Sequence, residues 1–265
     1  MSYKKMIISG DLYEIHETEK KPQISHFRPS TVSKGCNLFS SVRRSDNISA
    51  TKRQLMRRVR TQLQKQGAPL FISLTFEQDS QGLYPKQLGG GEFHDFILRM
   101  RKIFPQLSYV AVPEFQDKNK RGALHFHCLM WGVPLSLGDI RFKDTLLSQG
   151  LERTFRIIGG IWSRGFVDVI RTDGSPKLSH YLSKYFTKAW LDYRFYGFRV
   201  IYYSQNFPHP LIVDDYGDDS ILKLPPEELL NILQLEEVDQ KIYNNRFYGQ
   251  IKHTSYQKTT QIYAK

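Results

Sequence analysis

The chain has 265 residues, with 38 Lys+Arg against 26 Asp+Glu, a formal charge of +12, and 40% hydrophobic residues. This is the composition of a soluble globular chain that can bury a core, and it excludes a disordered polymer. No run of roughly 18 apolar residues is present, which excludes a membrane-spanning helix. With two cysteines, Cys36 and Cys128, a disulfide scaffold or a cysteine-rich zinc site is also excluded.

The amino terminus is basic, but its apolar stretch is too short for a secretory signal, which needs about 7–15 apolar residues. The expected location is therefore the cytoplasm. Residues 1–50 show weak periodicity. From 50 to 66 the pattern predicts a basic amphipathic helix: Leu55, Val59 and Leu63 recur every four residues among Lys52, Arg53, Arg57, Arg58 and Arg60. Those cations can serve as a solvated face or as contacts to phosphates. Phe71–Phe76 reads as a buried strand. The Gly-rich loop ending at Gly89–Gly91 lacks the spacing of a phosphate cradle, and no P-loop occurs in the chain, so an ATP-driven motor is not expected. Phe93, Phe96, Ile97, Met100 and Phe104 mark a core-facing helix.

Two strands follow, Ser108–Phe115 and Ala123–Trp131, joined by a polar turn as a hairpin. A helical segment is expected in the first part of 139–160, a strand at Phe166–Ile170, a helix over 176–190 and a last strand at Phe198–Tyr203. This order predicts an α+β fold with a central antiparallel sheet flanked by helices. Charge divides the chain at Phe207-Pro208-His209-Pro210. Residues 209–265 hold six basic and nine acidic residues, net −3, leaving 32 basic and 17 acidic residues, net +15, before them. The expected organisation is an extension with the basic helix (1–67), a functional domain (68–208) and an acidic appendage (209–265). Within the appendage, the segment beginning Pro225-Pro226-Glu227-Glu228 reads as a short helix.

The chemistry-bearing residues lie between these boundaries. Side chains alternate across a strand, so His125 and His127 share one face while Leu124, Phe126, Cys128 and Met130 share the other. Antiparallel pairing brings Glu114 beside His125 or His127, unless the basic turn residues Lys118, Lys120 or Arg121 claim it. A carboxylate and two imidazoles suit a catalytic Mn²⁺ or Mg²⁺, with Mn²⁺ the better match to nitrogen donors. On the helix, Tyr181, Lys184, Tyr185 and Lys188 fall at i, i+3, i+4 and i+7 and share a face, with Leu178, Leu182, Phe186 and Ala189 on another. Neighbouring cations favour a phenolate, the nucleophilic form of tyrosine.

A strand at 71–76, the His125-Phe126-His127 strand and the Tyr181-x-x-Lys184-Tyr185-x-x-Lys188 helix, in this order, resemble the motifs of the HUH endonucleases over about residues 68–205. Among these they look most like two-tyrosine rolling-circle replication initiators of small single-stranded DNA phages and plasmids. The resemblance implies a sheet related to RNA-recognition-type folds, with His125, His127 and Glu114 binding the divalent ion. It implies Tyr181 or Tyr185 attacking single-stranded DNA at a replication origin to leave a 5′-phosphotyrosine, with Lys184 and Lys188 beside the phosphate. The partners would be host helicase and polymerase in the bacterial cytoplasm. An HUH transposase or relaxase is a related alternative, and a non-catalytic single-stranded DNA-binding module a distinct one.

Overall fold

The computed structural model describes residues 3–20, 45–77, 90–117, 122–133, 158–214, 221–245 and 248–258. The expected turn residues Lys118, Lys120 and Arg121, and most of the expected 139–160 helix, lie outside these. Residues 158–162 are helical. The fold is α+β, as expected, but it is built on two five-stranded antiparallel sheets rather than one. The chain divides into two compact units, Leu38–Pro208 and a second made of Met1–Asn37 with His209–Lys265.

In the Leu38–Pro208 unit the helices are α1 (Ser45–Gln66), α2 (Gly91–Ile103) and α3 (Lys177–Leu191). Its strands are β3 (Leu70–Thr75), β4 (Ser108–Gln116), β5 (Ala123–Trp131), β6 (Val167–Arg171) and β7 (Tyr202–Tyr203), in the spatial order β6-β3-β5-β4-β7. Strand β5 is central, and one of its faces is an apolar layer in which Leu124, Phe126 and Cys128 are fully buried. Phe93 of α2 stacks on Phe126 with ring centroids 4.8 Å apart. The opposite face carries Phe71, His125 and His127 and receives α3, whose Leu182, Phe186 and Ala189 are buried. Burying this stripe fixes the helix on the sheet; each large apolar side chain contributes about 1.5–3 kcal/mol.

Helix α1 packs beside α3. Its Leu55, Val59 and Leu63 belong to the same core as β3–β5, so the helix grouped by sequence with residues 1–67 shares a core with the strands of 68–208. Gly67 ends it at a φ of 71°, a left-handed conformation that glycine adopts without strain, and its N–H donates to Leu63 O at 2.7 Å. The last expected strand is shorter than its sequence pattern: only Tyr202 and Tyr203 pair, with Ala111 and Val110 of β4.

The second unit is a sheet of β1 (Tyr3–Ser9), β2 (Leu12–Thr18), β8 (Leu211–Asp214), β9 (Leu235–Asn245) and β10 (Gly249–Lys258), with helix α4 (Pro226–Leu233). Its order, β8-β1-β2-β10-β9, interleaves the two ends of the chain. β1 and β2 form a hairpin around Gly10-Asp11, with Gly10 at a φ of 69° and Ser9 paired with Leu12. Met6, Tyr13, Ile15, Leu222, Leu229, Leu235 and Tyr256 form its core. The acidic start expected for the short helix is present in the first turn of α4, as Glu227 and Glu228.

Candidate active site

Strand register assembles the first part of the site. β3 and β4 flank β5, and Ser73 pairs with His127, Thr75 with His125 and Glu114 with His125. Residues paired across antiparallel strands project on the same face. Five polar side chains therefore emerge together from a sheet that is otherwise apolar.

Their hydrogen bonds are specific. Thr75 Oγ1 lies 3.0 Å from His125 Nδ1, and Ser73 Oγ lies 3.2 Å from His127 Nδ1. A hydroxyl can donate or accept, so either imidazole tautomer is accommodated. Glu114 reaches diagonally to His127, with Oε2 2.7 Å from Nε2, and its Oε1 accepts from Lys188 Nζ at 2.6 Å. Burial opposes ionisation of Glu114, but the hydrogen bonds and charges of His127 and Lys188 outweigh it and hold the carboxyl below its ordinary value. Burial, reinforced by the charge of His127, depresses the His125 imidazole to about 4, so it is neutral near pH 7. Its Nε2 is buried without a hydrogen-bond partner.

Helix α3 supplies the second part. Tyr185 stacks on His127 with ring centroids 3.8 Å apart, and the Tyr181 and Tyr185 hydroxyls are 2.7 Å apart. Both rings also contact Phe71, at 5.3 Å for Tyr181 and 6.4 Å for Tyr185. Lys184 is exposed on the same helix. A cavity of about 490 Å³ is lined by Glu114, His127, Tyr185 and Lys188, with Asp117 and Asp192 at its edge. Tyr181 is 43% exposed. Contrary to the expectation that nearby cations favour a phenolate, the Tyr185 hydroxyl is held protonated. Burial raises its pKa most, and the Tyr181 hydroxyl and the Glu114 charge add to this. Lys188 spends its charge on Glu114, with its ammonium 5.5 Å from the centre of the Tyr185 ring.

The donor set suits a divalent ion chemically: a buried neutral imidazole with a lone pair, a second imidazole and an ionised carboxylate. In this arrangement His127 Nε2 and Lys188 occupy the oxygens of Glu114. Among the described residues, the His/Glu group whose ligand atoms all lie within 4.8 Å is a different one, Glu14, His16 and His253 in the second unit. Cys128 lies fully buried on the far side of β5, and burial pushes its thiol well above the ordinary range.

The basic residues of α1 divide. Arg53 is exposed, and Lys52, Arg57 and Arg60 are partly so. Burial, with the charges of Arg60 and Lys52, lowers the pKa of His180, which places those cations near the start of α3. Arg58 does not fit the expectation of a phosphate contact. It is buried, donates to Phe207 O at 2.6 Å and Pro208 O at 3.0 Å, and lies 4.0 Å above the Tyr203 ring.

Ser73 and Thr75 were missed by sequence reasoning, although two hydroxyls of the same parity in an otherwise apolar strand were a usable signal. Arg194 was also missed. It bonds to Asp117 at 2.7 Å and Asp192 at 2.6 Å and caps Phe115 at 3.9 Å, which holds the segment after α3 beside the cavity.

The fold and site thus define an α+β protein whose sheet presents imidazoles and a carboxylate to a helix bearing paired tyrosines and lysines. Residues 69–190 match the family model of replication-associated protein ORF2, which supports a replication initiator. No curated protein and no solved structure matches the chain. The matched segment runs from β3 to α3 and contains every predicted metal-site and catalytic residue. No helix among the described residues is long and apolar enough to cross a membrane.

Proposed function

We propose that the chain is a rolling-circle replication initiator of the HUH type that nicks and rejoins single-stranded DNA through a 5′-phosphotyrosine. The observation that carries this reading is the convergence of Tyr181 and Tyr185, hydrogen-bonded at 2.7 Å, on the His127–Glu114–Lys188 cluster. A single-stranded DNA-binding module accounts for the basic charge but gives no reason for this cluster. The replication-associated family match favours an initiator over a transposase or relaxase.

His125, His127 and Glu114 would hold Mn²⁺ or Mg²⁺, which supplies positive charge to polarise the scissile phosphate. The chain's own groups do the rest. The attacking tyrosine oxygen forms a bond to phosphorus, and the bond from phosphorus to the 3′ oxygen breaks. The phenol gives up its proton as the bond forms, and the departing 3′ oxygen ends as a hydroxyl. For Tyr181, the hydrogen bond to Tyr185 offers a path for that proton. Lys184 and Lys188 lie on the helix face that would meet the phosphate and stabilise its developing charge. The phosphotyrosine retains the energy of the phosphodiester, so attack by a 3′ hydroxyl rejoins the strand without ATP. The second phenol, one helical turn away, is available for a second cut. Lys52, Arg53, Arg57 and Arg60 are placed to hold the DNA backbone. A helicase and polymerase of the bacterial host would complete replication in the cytoplasm.

The test is a covalent-adduct gel with 3′-labelled single-stranded oligonucleotides from the parent replicon, with Mn²⁺ or EDTA. A Mn²⁺-dependent shifted band is expected, absent when Tyr181 and Tyr185 are both changed to Phe. DNA binding without an adduct, on oligonucleotides tiling the replicon, would sink the nicking reading in favour of the binding module.

A further inference from the structure

The second unit carries a cluster of ligand-type side chains that the nicking reading does not use. Glu14 and His16 lie on β2, and His253 lies opposite His16 on β10. Glu14 pairs in register with Ser255, so all four side chains project from the same face of the sheet. Met6, Tyr13, Ile15 and Tyr256 occupy the other face, in the core of the unit. The cluster is therefore set apart from the hydrophobic interior by strand alternation alone.

Its geometry is that of a small-ion site. The two imidazoles meet through their Nδ1 atoms at 3.3 Å, and His253 Nε2 is 3.8 Å from Glu14 Oε1. One ligand atom from each of Glu14, His16 and His253 lies within 4.8 Å of the others. Metal–nitrogen bonds of about 2.0–2.1 Å at the tetrahedral angle put neighbouring ligands about 3.3–3.4 Å apart, which is the separation of the two Nδ1 atoms. With Nδ1 of His253 directed at an ion, its Nε2–H can donate to Ser255 Oγ, 3.3 Å away, the kind of outer partner that fixes the tautomer of a metal-bound imidazole. Two imidazoles and one carboxylate select zinc-class transition ions over Mg²⁺ or Ca²⁺, which favour oxygen.

We propose that Glu14, His16 and His253 form a second metal site, specific for a Zn²⁺-class ion, that ties the amino-terminal hairpin to the carboxy-terminal strand. His16 and His253 are 237 residues apart in the chain. An ion shared between them joins two segments that must find each other across the whole intervening nicking unit. It binds the paired state and not the separated strands, so it stabilises the pairing by mass action. This inference does not depend on the nicking reading.

The test uses the full chain, purified without a polyhistidine tag and stripped with chelator, in a His125→Ala/His127→Ala background that removes the other candidate site. Bound metal is measured by mass spectrometry after gel filtration from micromolar Zn²⁺, and tetrahedral Co²⁺ absorption and the melting temperature are followed in parallel. The expected result is one equivalent of Zn²⁺, a tetrahedral Co²⁺ spectrum and a metal-dependent rise in melting temperature. All three should be lost on adding His253→Ala, while the metal-free circular dichroism spectrum is kept. Should His253→Ala unfold the chain, Glu14→Gln serves, and at least a tenfold loss of Zn²⁺ affinity is expected of it. Absence of bound Zn²⁺ in the background variant overturns the proposal. So does binding that neither His253→Ala nor Glu14→Gln alters.

Discussion

Replacing Glu114 with Gln isolates the charge at the centre of the candidate site while keeping its shape. The carboxylate accepts one bond from His127, between side chains 10% and 14% exposed, and one from Lys188, whose side chain is 64% exposed. A hydrogen bond to a charged group contributes about 1.5–3 kcal/mol, and that range applies to the buried His127 bond. The Lys188 bond is screened by solvent and is discounted to the ~0.2–1 kcal/mol of an exposed pair. Gln retains one carbonyl oxygen and hence one neutral bond, worth about 0.5–1.5 kcal/mol. The net loss expected at pH 7 in chelator is about 1–2.5 kcal/mol. The pH dependence supplies a second signature. Because the folded carboxyl lies below its ordinary 4.5, its contribution is fully present above that value and is lost as pH falls through the folded pKa. Glu114→Gln has no such contribution to lose, so the stability gap closes as the medium is acidified. Urea denaturation of both proteins from neutral pH to about pH 3 reads both effects as midpoint shifts at constant slope. Equal midpoints at neutral pH, or a gap of constant size down to the acid limit, would refute the electrostatic account.

Thr75→Val leaves all proposed ligands in place but removes the partner of His125 Nδ1. It should weaken Mn²⁺ binding roughly 10–100-fold and leave nicking rescuable by excess Mn²⁺, as read from metal titration of adduct yield. Arg58→Ala removes two bonds to backbone carbonyls and a ring contact inside the protein and should cost about 3 kcal/mol in a urea melt. Arg53→Ala, on the exposed side of the same helix, should stay within about 0.5 kcal/mol of the parent, yet flatten the salt dependence of DNA binding by a slope of about 0.9 for a lost phosphate contact. The Tyr185 phenol should titrate above the ordinary 10, since burial, Tyr181 and Glu114 all raise it. Ultraviolet titration should show Tyr185→Phe losing amplitude only above that pH.

Much of the Leu38–Pro208 unit was legible because its signals are local. Alternation along Ala123–Trp131 fixed which face His125 and His127 occupy, and a polar turn after Glu114 fixed the hairpin that brings the carboxylate to them. Four-residue spacing fixed the Tyr181–Lys188 face. What escaped depended on pairing between distant segments. Residues 3–18 carry two β-branched runs around Gly10-Asp11, a two-residue turn signal whose runs are short, and their second partner, β10, lies more than 200 residues away. β9 is exposed along nearly its whole length, so alternation leaves no imprint on its sequence. Arg58 resembled its basic neighbours because charge and spacing do not reveal that Phe207 and Pro208 return to meet it. The protonated state of Tyr185 was equally hidden. Proximity of lysines in sequence says nothing of Lys188 turning to Glu114.

That turn of Lys188 bears on how the site would meet DNA. Without a ligand the cluster is self-neutralised: His127 and Lys188 each hold one oxygen of Glu114, and Tyr185 keeps its proton beneath them. The ammonium is exposed and tethered by one bond, whereas the carboxylate is buried and held on both oxygens. Of the partners, Lys188 is therefore the one an entering phosphate can draw away at least cost. Its departure would free Glu114 Oε1 for another cation and place positive charge beside the two phenols in one movement. On the nicking reading, the substrate itself thus converts the resting ion pair into the charged arrangement that the transfer requires, and α3, anchored by Leu182, Phe186 and Ala189, need not move.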